Sequence, residues 1–224
     1  MHIPAKKTCE IELLSFDDAL AAAKMPQEEY DSKKWLYVPP FYGEYRYILG
    51  TQGKNPLICI GINPSTAAPD NLDNTLKSVE RIAHGNGHDS FIMFNVYAQR
   101  ATDPDDMELT CNYSLHLENI KAFEYILSLC SDVPSVWAAW GAIVEKRDYL
   151  INLISDFEKI SEKYSARWYS CGPLSRKEHP HHPLYLRADT KKQPFDIKNY
   201  LLSHGAHEIT NFLQEKPKNS ATAV

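Results

Sequence analysis

Long apolar stretches are missing from this chain: no run approaches the ~18 residues that a membrane-spanning helix needs. No cationic segment followed by an apolar one opens it, as a secretory signal would. No two cysteines form a C-x-x-C pair. Cys9, Cys59, Cys111, Cys130 and Cys171 are an odd, scattered set, which argues against a disulfide framework and for reduced thiols. The expectation from these absences is a soluble, cytoplasmic protein. The G-x-G-x-x-G fingerprint and the Walker A loop are absent too, so the two commonest nucleotide-binding designs of α/β chains lose their motif. No internal repeat is visible. Net basic charge is also lacking. With a formal net charge of -5, any contact with nucleic acid has to come from a local basic patch.

Hydrophobic residues fill 43% of 224 positions, enough for the core of one α/β domain with extensions. The rest of the chain is organised around one unbroken run, Leu57-Ile58-Cys59-Ile60-Gly61-Ile62, which stops at Asn63-Pro64-Ser65-Thr66. Such a run reads as a strand buried on both faces, as in a parallel sheet. Open α/β sheets place ligands beyond the carboxyl ends of their strands, where this run stops. Pro64 fixes its own φ and pushes Asn63 toward extended geometry, so a polar side chain sits on a stiff turn. An ordinary strand-to-loop turn would use the same residue types.

Residues 1–43 read as an N-terminal extension packed on the domain. It holds a short helix capped by Ser15 and an irregular arm over 25–42, rich in proline and aromatics. Residues 44–215 read as a single α/β domain, and 216–224 as a flexible tail. A strand is expected over 45–49. Apolar strands at 57–62, 91–96, 135–141 and 167–171 then alternate with helical spacing at 73–85, 117–130 and 143–160. Further helices are expected at 196–203 and 208–214. The alternation predicts a three-layer α/β/α fold with a mostly parallel four-stranded central sheet.

Several polar features end these strands. They are Asn63, Asn95 in Phe-Ile-Met-Phe-Asn-Val-Tyr, Trp140-Gly141, and the run His179-Pro180-His181-His182-Pro183-Leu184-Tyr185-Leu186. Together with Asp73-Asn74-Thr75 and Arg100-Ala101-Thr102-Asp103-Pro104, they make the chain resemble an uncharacterised bacterial and phage family, domain of unknown function 1643. That likeness spans about residues 45–187 and supplies no activity.

The same landmarks resemble, over short motifs, the uracil-DNA glycosylase superfamily. That resemblance implies that Asn63 places a water, Asn95 reads the base and His182 stabilises the leaving group. It further puts Ser65, Thr66, Tyr97, Arg100, Trp140, Pro183 and Leu184 around the substrate, with the His182-Pro183-Leu184 loop inserting a residue into the DNA. Ser65 stands where the uracil-specific branch carries an aromatic, which implies room beside C5 of a flipped pyrimidine. A neutral Asn is no strong base, but its carbonyl oxygen can orient water, which suits a highly dissociative reaction. A fixed His can donate where charge builds on the departing base.

From Cys171 to Lys192 the charged residues are five basic, including Arg176, Lys177 and Arg187, against two acidic. This basic loop is the candidate contact to the DNA backbone, though a solvated loop of the same composition is the plainer reading. Consecutive histidines do not match usual zinc spacings, so no metal and no cofactor is expected. The expected partners are DNA, double- or single-stranded, or a nucleotide, and no membrane. Two further readings stand beside a DNA glycosylase. One is a non-catalytic module that binds a modified base, nucleotide or single strand; the other is a hydrolase or transferase of free nucleosides.

Overall fold

The structure, a computed structural model, describes residues 1–206. Seven strands form one sheet in the order β1-β2-β4-β3-β5-β6-β7. They are β1 (Trp35–Val38), β2 (Ile48–Thr51), β3 (Pro56–Gly61), β4 (Ser90–Asn95), β5 (Ser135–Ala138), β6 (Arg167–Cys171) and β7 (Lys192–Pro194). The four apolar strands expected from the sequence, β3 to β6, pair in parallel. The sheet around them is larger than expected and mixed. β1 and β2 add an antiparallel edge beside β4, and β7 adds one beside β6. The four-stranded expectation fails because β1 lies inside the proline-rich arm and β7 has three residues with no apolar alternation.

The helices are α1 (Phe16–Ala23), α2 (Asn74–Gly85), α3 (Tyr113–Ser128), α4 (Tyr149–Lys163) and α5 (Ile197–Ser203). Side chains start most of them. The Asp73 carboxylate accepts from Leu76 N at 2.9 Å, and Asn112 accepts from the N–H groups of Ser114 and Leu115. Asp196 does the same for α5. The helix expected at 208–214 and the tail at 216–224 lie outside the described residues.

Alternation along β3 divides the interior in two. Ile58 and Ile60 join a core with residues of α1, α3, α4 and α5, while Leu57 and Cys59 join one with α2. Chain handedness explains the split. The step from β3 to β4 runs one way along the sheet, and the steps β4 to β5 to β6 run the other way. Right-handed crossovers in opposite directions must put their helices on opposite faces. The connections leaving β3 and β4 therefore part at their carboxyl ends, and that parting is where α/β sheets form a crevice.

β2 can sit against β4 only because its third residue is a glycine. A Cβ on Gly50 would collide with Phe91 O and stand 2.8 Å from Ile92 Cα, both main-chain atoms of the facing strand. Gly50→Ala should therefore destabilise by about 1–3 kcal/mol, the usual cost of overpacking, and a denaturant melt will read it. An unchanged midpoint would mean that this edge is free to move apart.

Candidate functional site

A cavity of about 240 Å³ opens at the parting of β3 and β4. Gly61, Ile62, Asn63 and Ser65 line it from the β3 side, and Met93 and Asn95 from β4. Asp73, Thr75 and Leu76 bring the amino end of α2 to it. Ala101, Thr102 and Pro104 form another wall, and Arg46, Ile143 and His182 complete it. Asn63, Ser65, Asn95 and His182 thus come together from three separate stretches of chain. Thr66, Tyr97, Arg100, Trp140, Pro183 and Leu184 are not lining residues.

Asn63 is held at its nitrogen end. Nδ2 donates to Ala101 O at 2.7 Å and to Pro64 O at 3.1 Å. Two carbonyl oxygens can be satisfied only by the amide nitrogen, so they decide which end of the carboxamide is which. The carbonyl Oδ1 is left as the atom for a ligand or a water. The turn is rigid because Ala101 N also donates to Pro64 O at 2.9 Å. Ser65 Oγ donates to Thr102 Oγ1 at 3.3 Å.

Asn95 is 1% exposed. Its Oδ1 accepts from Arg46 Nη2 at 3.3 Å, and its main-chain oxygen accepts from Asn119 Nδ2 at 2.9 Å. Its own Nδ2 has no partner among the described residues. A buried amide donor without an acceptor is unusual and marks the floor of this cavity as incomplete by itself.

His182 starts the short 3-10 turn Pro183–Tyr185, and its Nδ1 accepts from Leu184 N at 3.4 Å. That bond leaves the proton of the neutral ring on Nε2. Burial lowers its pKa from the ordinary 6.5, with Asp73 opposing in part. A depressed folded-state value means that the unfolded chain takes up this proton first. Its contribution to stability is therefore present above pH 6.5 and lost as pH falls through the lower folded value. We predict that the His182 ring resonances titrate with a midpoint below 6.5, and that ligand binding needing the neutral ring keeps its strength to the same pH. A midpoint above 6.5 would show that the ring is not buried against the cavity as described.

The loop that carries His182 is pinned from behind. The buried His179 ring contacts Glu145 Oε1 at 2.8 Å through Nε2 and Tyr200 Oη at 2.9 Å through Nδ1. Tyr200 Oη accepts from Trp140 Nε1 at 3.0 Å. Gly141 N donates to Pro180 O at 3.0 Å. Gly141 has φ +59°, and a Cβ there would lie 3.5 Å from His182 Cβ. Trp140 is therefore an anchor in the core behind the site.

Tyr97 is likewise fully buried. It donates to a Glu108 carboxylate oxygen and accepts from Asn112 N at 3.0 Å, fastening the loop that leads to α3. Arg100 ties Ser65 O and Gly43 O from behind the cavity wall. Leu184 is 42% exposed. It lines a neighbouring groove that shares Ile143 and His182 with the cavity.

The basic loop is less available than its composition suggests. Lys177 Nζ pairs with Glu145 at 2.8 Å and Arg187 Nε with Asp189 at 3.1 Å, all on the surface. Arg176 is exposed.

Among the lining residues that were not expected at the site, such as Asp73, Thr75, Met93, Thr102 and Ile143, Arg46 is the buried cation. It stands in Tyr-Arg-Tyr-Ile-Leu, where a strand assignment absorbed it. A charge inside an aromatic and aliphatic run is the signal that could have singled it out. Its side chain is 1% exposed.

A mixed α/β protein with a polar cavity at the carboxyl edge of its parallel strands is the class that fold and site define. More particularly, residues 46–184 match the family described as "Protein of unknown function (DUF1643)", and the chain belongs to it. No curated protein and no solved structure matches it. Among the described residues no helix is long and apolar enough to cross a membrane, and no cluster of His, Cys, Asp and Glu is arranged to hold a metal ion.

Proposed function

We propose that the cavity takes in a single pyrimidine-like base, and that the protein hydrolyses the N-glycosidic bond of a flipped base in DNA, in the manner of uracil-DNA glycosylases. The observation that carries this reading is the clamped carboxamide of Asn63, whose nitrogen is committed to Pro64 O and Ala101 O. Its carbonyl oxygen can then hold one water against the sugar. As the C1′–N bond breaks, its electron pair leaves with the base and the sugar gains oxocarbenium character. The water oxygen bonds to C1′ and releases its proton to solvent. The N–H of His182 stabilises charge on the departing base, and Asn95 and Arg46 meet the base edge from the floor. At about 240 Å³ the space is smaller than a drug-sized pocket and suits one ring. Ser65 leaves room for a substituent on C5. Leu184, exposed beside the mouth, is placed to fill the gap that a flipped nucleotide leaves.

A second reading, hydrolysis of free nucleosides, is favoured by the net charge of -5 and by the carboxylate partners of Lys177 and Arg187. One experiment separates them. Oligonucleotides carrying uracil, thymine and larger 5-substituted pyrimidines are incubated with the protein in parallel with the matching free nucleosides. Abasic sites are read by alkaline cleavage and released base by chromatography. Abasic sites support the first reading, and base released from nucleosides alone supports the second. Retention of DNA with no cut in any arm would reduce the protein to a binding module. DNA binding should also weaken with salt, and Arg176→Gln should lower that slope by about one phosphate contact. Lys177 and Arg187 should contribute less, because each must first leave its carboxylate.

A further inference from the structure

The cavity floor holds a buried positive charge that the protein does not neutralise. Arg46 spends one N–H on Ala67 O at 3.1 Å and one on Asn95 Oδ1 at 3.3 Å, while its Nε has no partner. Both of those acceptors are neutral. Among the described residues no carboxylate lies within ion-pair distance of Arg46 or of the neighbouring buried Arg100. Burial, and then repulsion from Arg100, holds the Arg46 guanidinium down at about 9. Tyr37 and then Asp73 oppose this in part, and the Asp73 Oδ1 is engaged at Leu76 N. Glu44 acts on Arg100 in the same way while it contacts His2, and neither acid is in ion-pair contact with Arg46, whose charge stays unmatched at the cavity.

One further donor faces the same space: Asn95 Nδ2 is buried and unpartnered, whereas the amino end of α2 already has its carboxylate in Asp73 at Leu76 N. A buried cation is normally paired, and leaving one unpaired costs stability. A fold keeps such a group where main-chain carbonyls solvate it, as at Arg100, or where a ligand supplies the missing charge.

We infer that the cavity floor is a site for an oxyanion, a carboxylate or phosphate group carried by the ligand, received between Arg46 and Asn95 Nδ2. Arg46 offers the planar fork that matches two oxygens, and Asn95 adds a third donor. Applied to the glycosidic reading, on which this step rests, the inference narrows the substrate to a pyrimidine bearing an acidic substituent. Plain uracil and thymine leave Arg46 without its counter-charge. The anion site itself stands on the geometry whether or not a bond is cut.

The test is binding without turnover. Thermal shift and calorimetry of the full chain are run with 5-carboxyuracil, thymine, uracil, inorganic phosphate and acetate. Tighter binding of 5-carboxyuracil than of thymine by tenfold or more assigns the anion to the base. Protection by phosphate alone assigns it to a phosphate-bearing ligand. In both cases Arg46→Met must remove the preference.

Asn95→Asp gives a second route to the same answer. It puts a carboxylate beside Arg46, so it should raise the melting temperature of the empty protein and abolish anion binding together. Equal affinity for 5-carboxyuracil and thymine with no response to phosphate or acetate overturns the inference, as does anion binding that survives Arg46→Met. A protein that cuts no glycosidic bond can still pass this test. One that cuts plain uracil but shows no anion preference keeps the glycosidic reading and loses this one.

Discussion

Arg100→Met should lower the stability of the protein by about 3 kcal/mol or more, and do so with no ligand present. Arg100 is fully buried. It donates from Nε to Gly43 O at 3.0 Å and from Nη1 to Ser65 O and, at 3.4 Å, to Ala67 O. Nη2 reaches Tyr37 Oη at 3.3 Å, and the guanidinium lies 4.1 Å from the centre of the Tyr42 ring. Methionine keeps the stem and removes every donor. Gly43 O and Ser65 O then lose this partner inside the protein, at about 1 kcal/mol or more each, Tyr37 Oη loses a charged donor, and Ala67 O keeps only Arg46 Nη1. Relief from burying a cation offsets part of this, but the cation here is already well solvated by those carbonyls and the ring, so the loss outweighs the relief.

Denaturant midpoints of the two proteins check the prediction. A group serving only as a ligand contact would leave the midpoint unchanged and alter affinity alone. The effect on the site would follow from the fold, because Ser65 and Ala67 stand on the turn that carries Asn63. This residue also contrasts with Arg46. Both are buried arginines, but Arg100 spends its donors on the scaffold, and Arg46 spends two of its five N–H groups there and keeps Nε unpartnered.

The parallel strands were legible because burial on both faces leaves a strong mark: Leu57 to Ile62 and Phe91 to Phe94 are unbroken apolar runs. Two helix starts were legible for a similar local reason, since Asp73 and Asp196 stand one residue before α2 and α5, whereas α3 begins four residues before, and α4 six residues after, the expected apolar spacing. The antiparallel edges were not. β1 is four aromatic or aliphatic residues ahead of two prolines, a texture shared with an irregular arm. β7 is Lys-Gln-Pro, with no pattern at all.

At the site, two strands that each end in Asn at their carboxyl edge pointed to one place, and there Asn63 and Asn95 do share a cavity. What could not be read is which neighbours face the cavity and which brace it. Trp140, Tyr97 and Arg100 occupy the same motifs as the lining residues, and only their hydrogen-bond partners tell them apart. Arg46 escaped for the opposite reason. It lies on β2's approach, far from every motif in sequence, and reaches the site through pairing across β4.

On the glycosidic reading proposed above, Asn63→Asp should slow cleavage sharply and weaken the fold, although a carboxylate is the stronger base. In water the acid would draw a proton from the attacking water better than an amide can. In this turn the position of the nitrogen decides the outcome. Ala101 O stands 2.7 Å from Nδ2, and Pro64 O 3.1 Å from it. Exchange of that nitrogen for an oxygen sets an anionic acceptor against two carbonyl acceptors with no proton between them. The turn must open, or the new carboxyl must hold a proton.

Hydrogen bonding to the protonated form raises a carboxyl pKa, so protonation here is favoured well above the ordinary aspartate range. The sign then follows. The variant should regain stability as pH falls through that raised value and lose it again as pH rises. The unmodified protein has no titrating group at this position. Cleavage should drop by about 10²–10³-fold, on the scale of losing one preorganised polar group, and by a similar amount in Asn63→Ala. Base binding should stay within a few-fold in Asn63→Ala, because Asn95, Arg46 and His182 keep their places. Single-turnover rates on whichever substrate is cut, with melting curves between about pH 5 and 8, decide the matter. Faster cleavage by Asn63→Asp with an unchanged melt would mean that the amide nitrogen is not held as described, and that Asn63 meets its ligand by the other end.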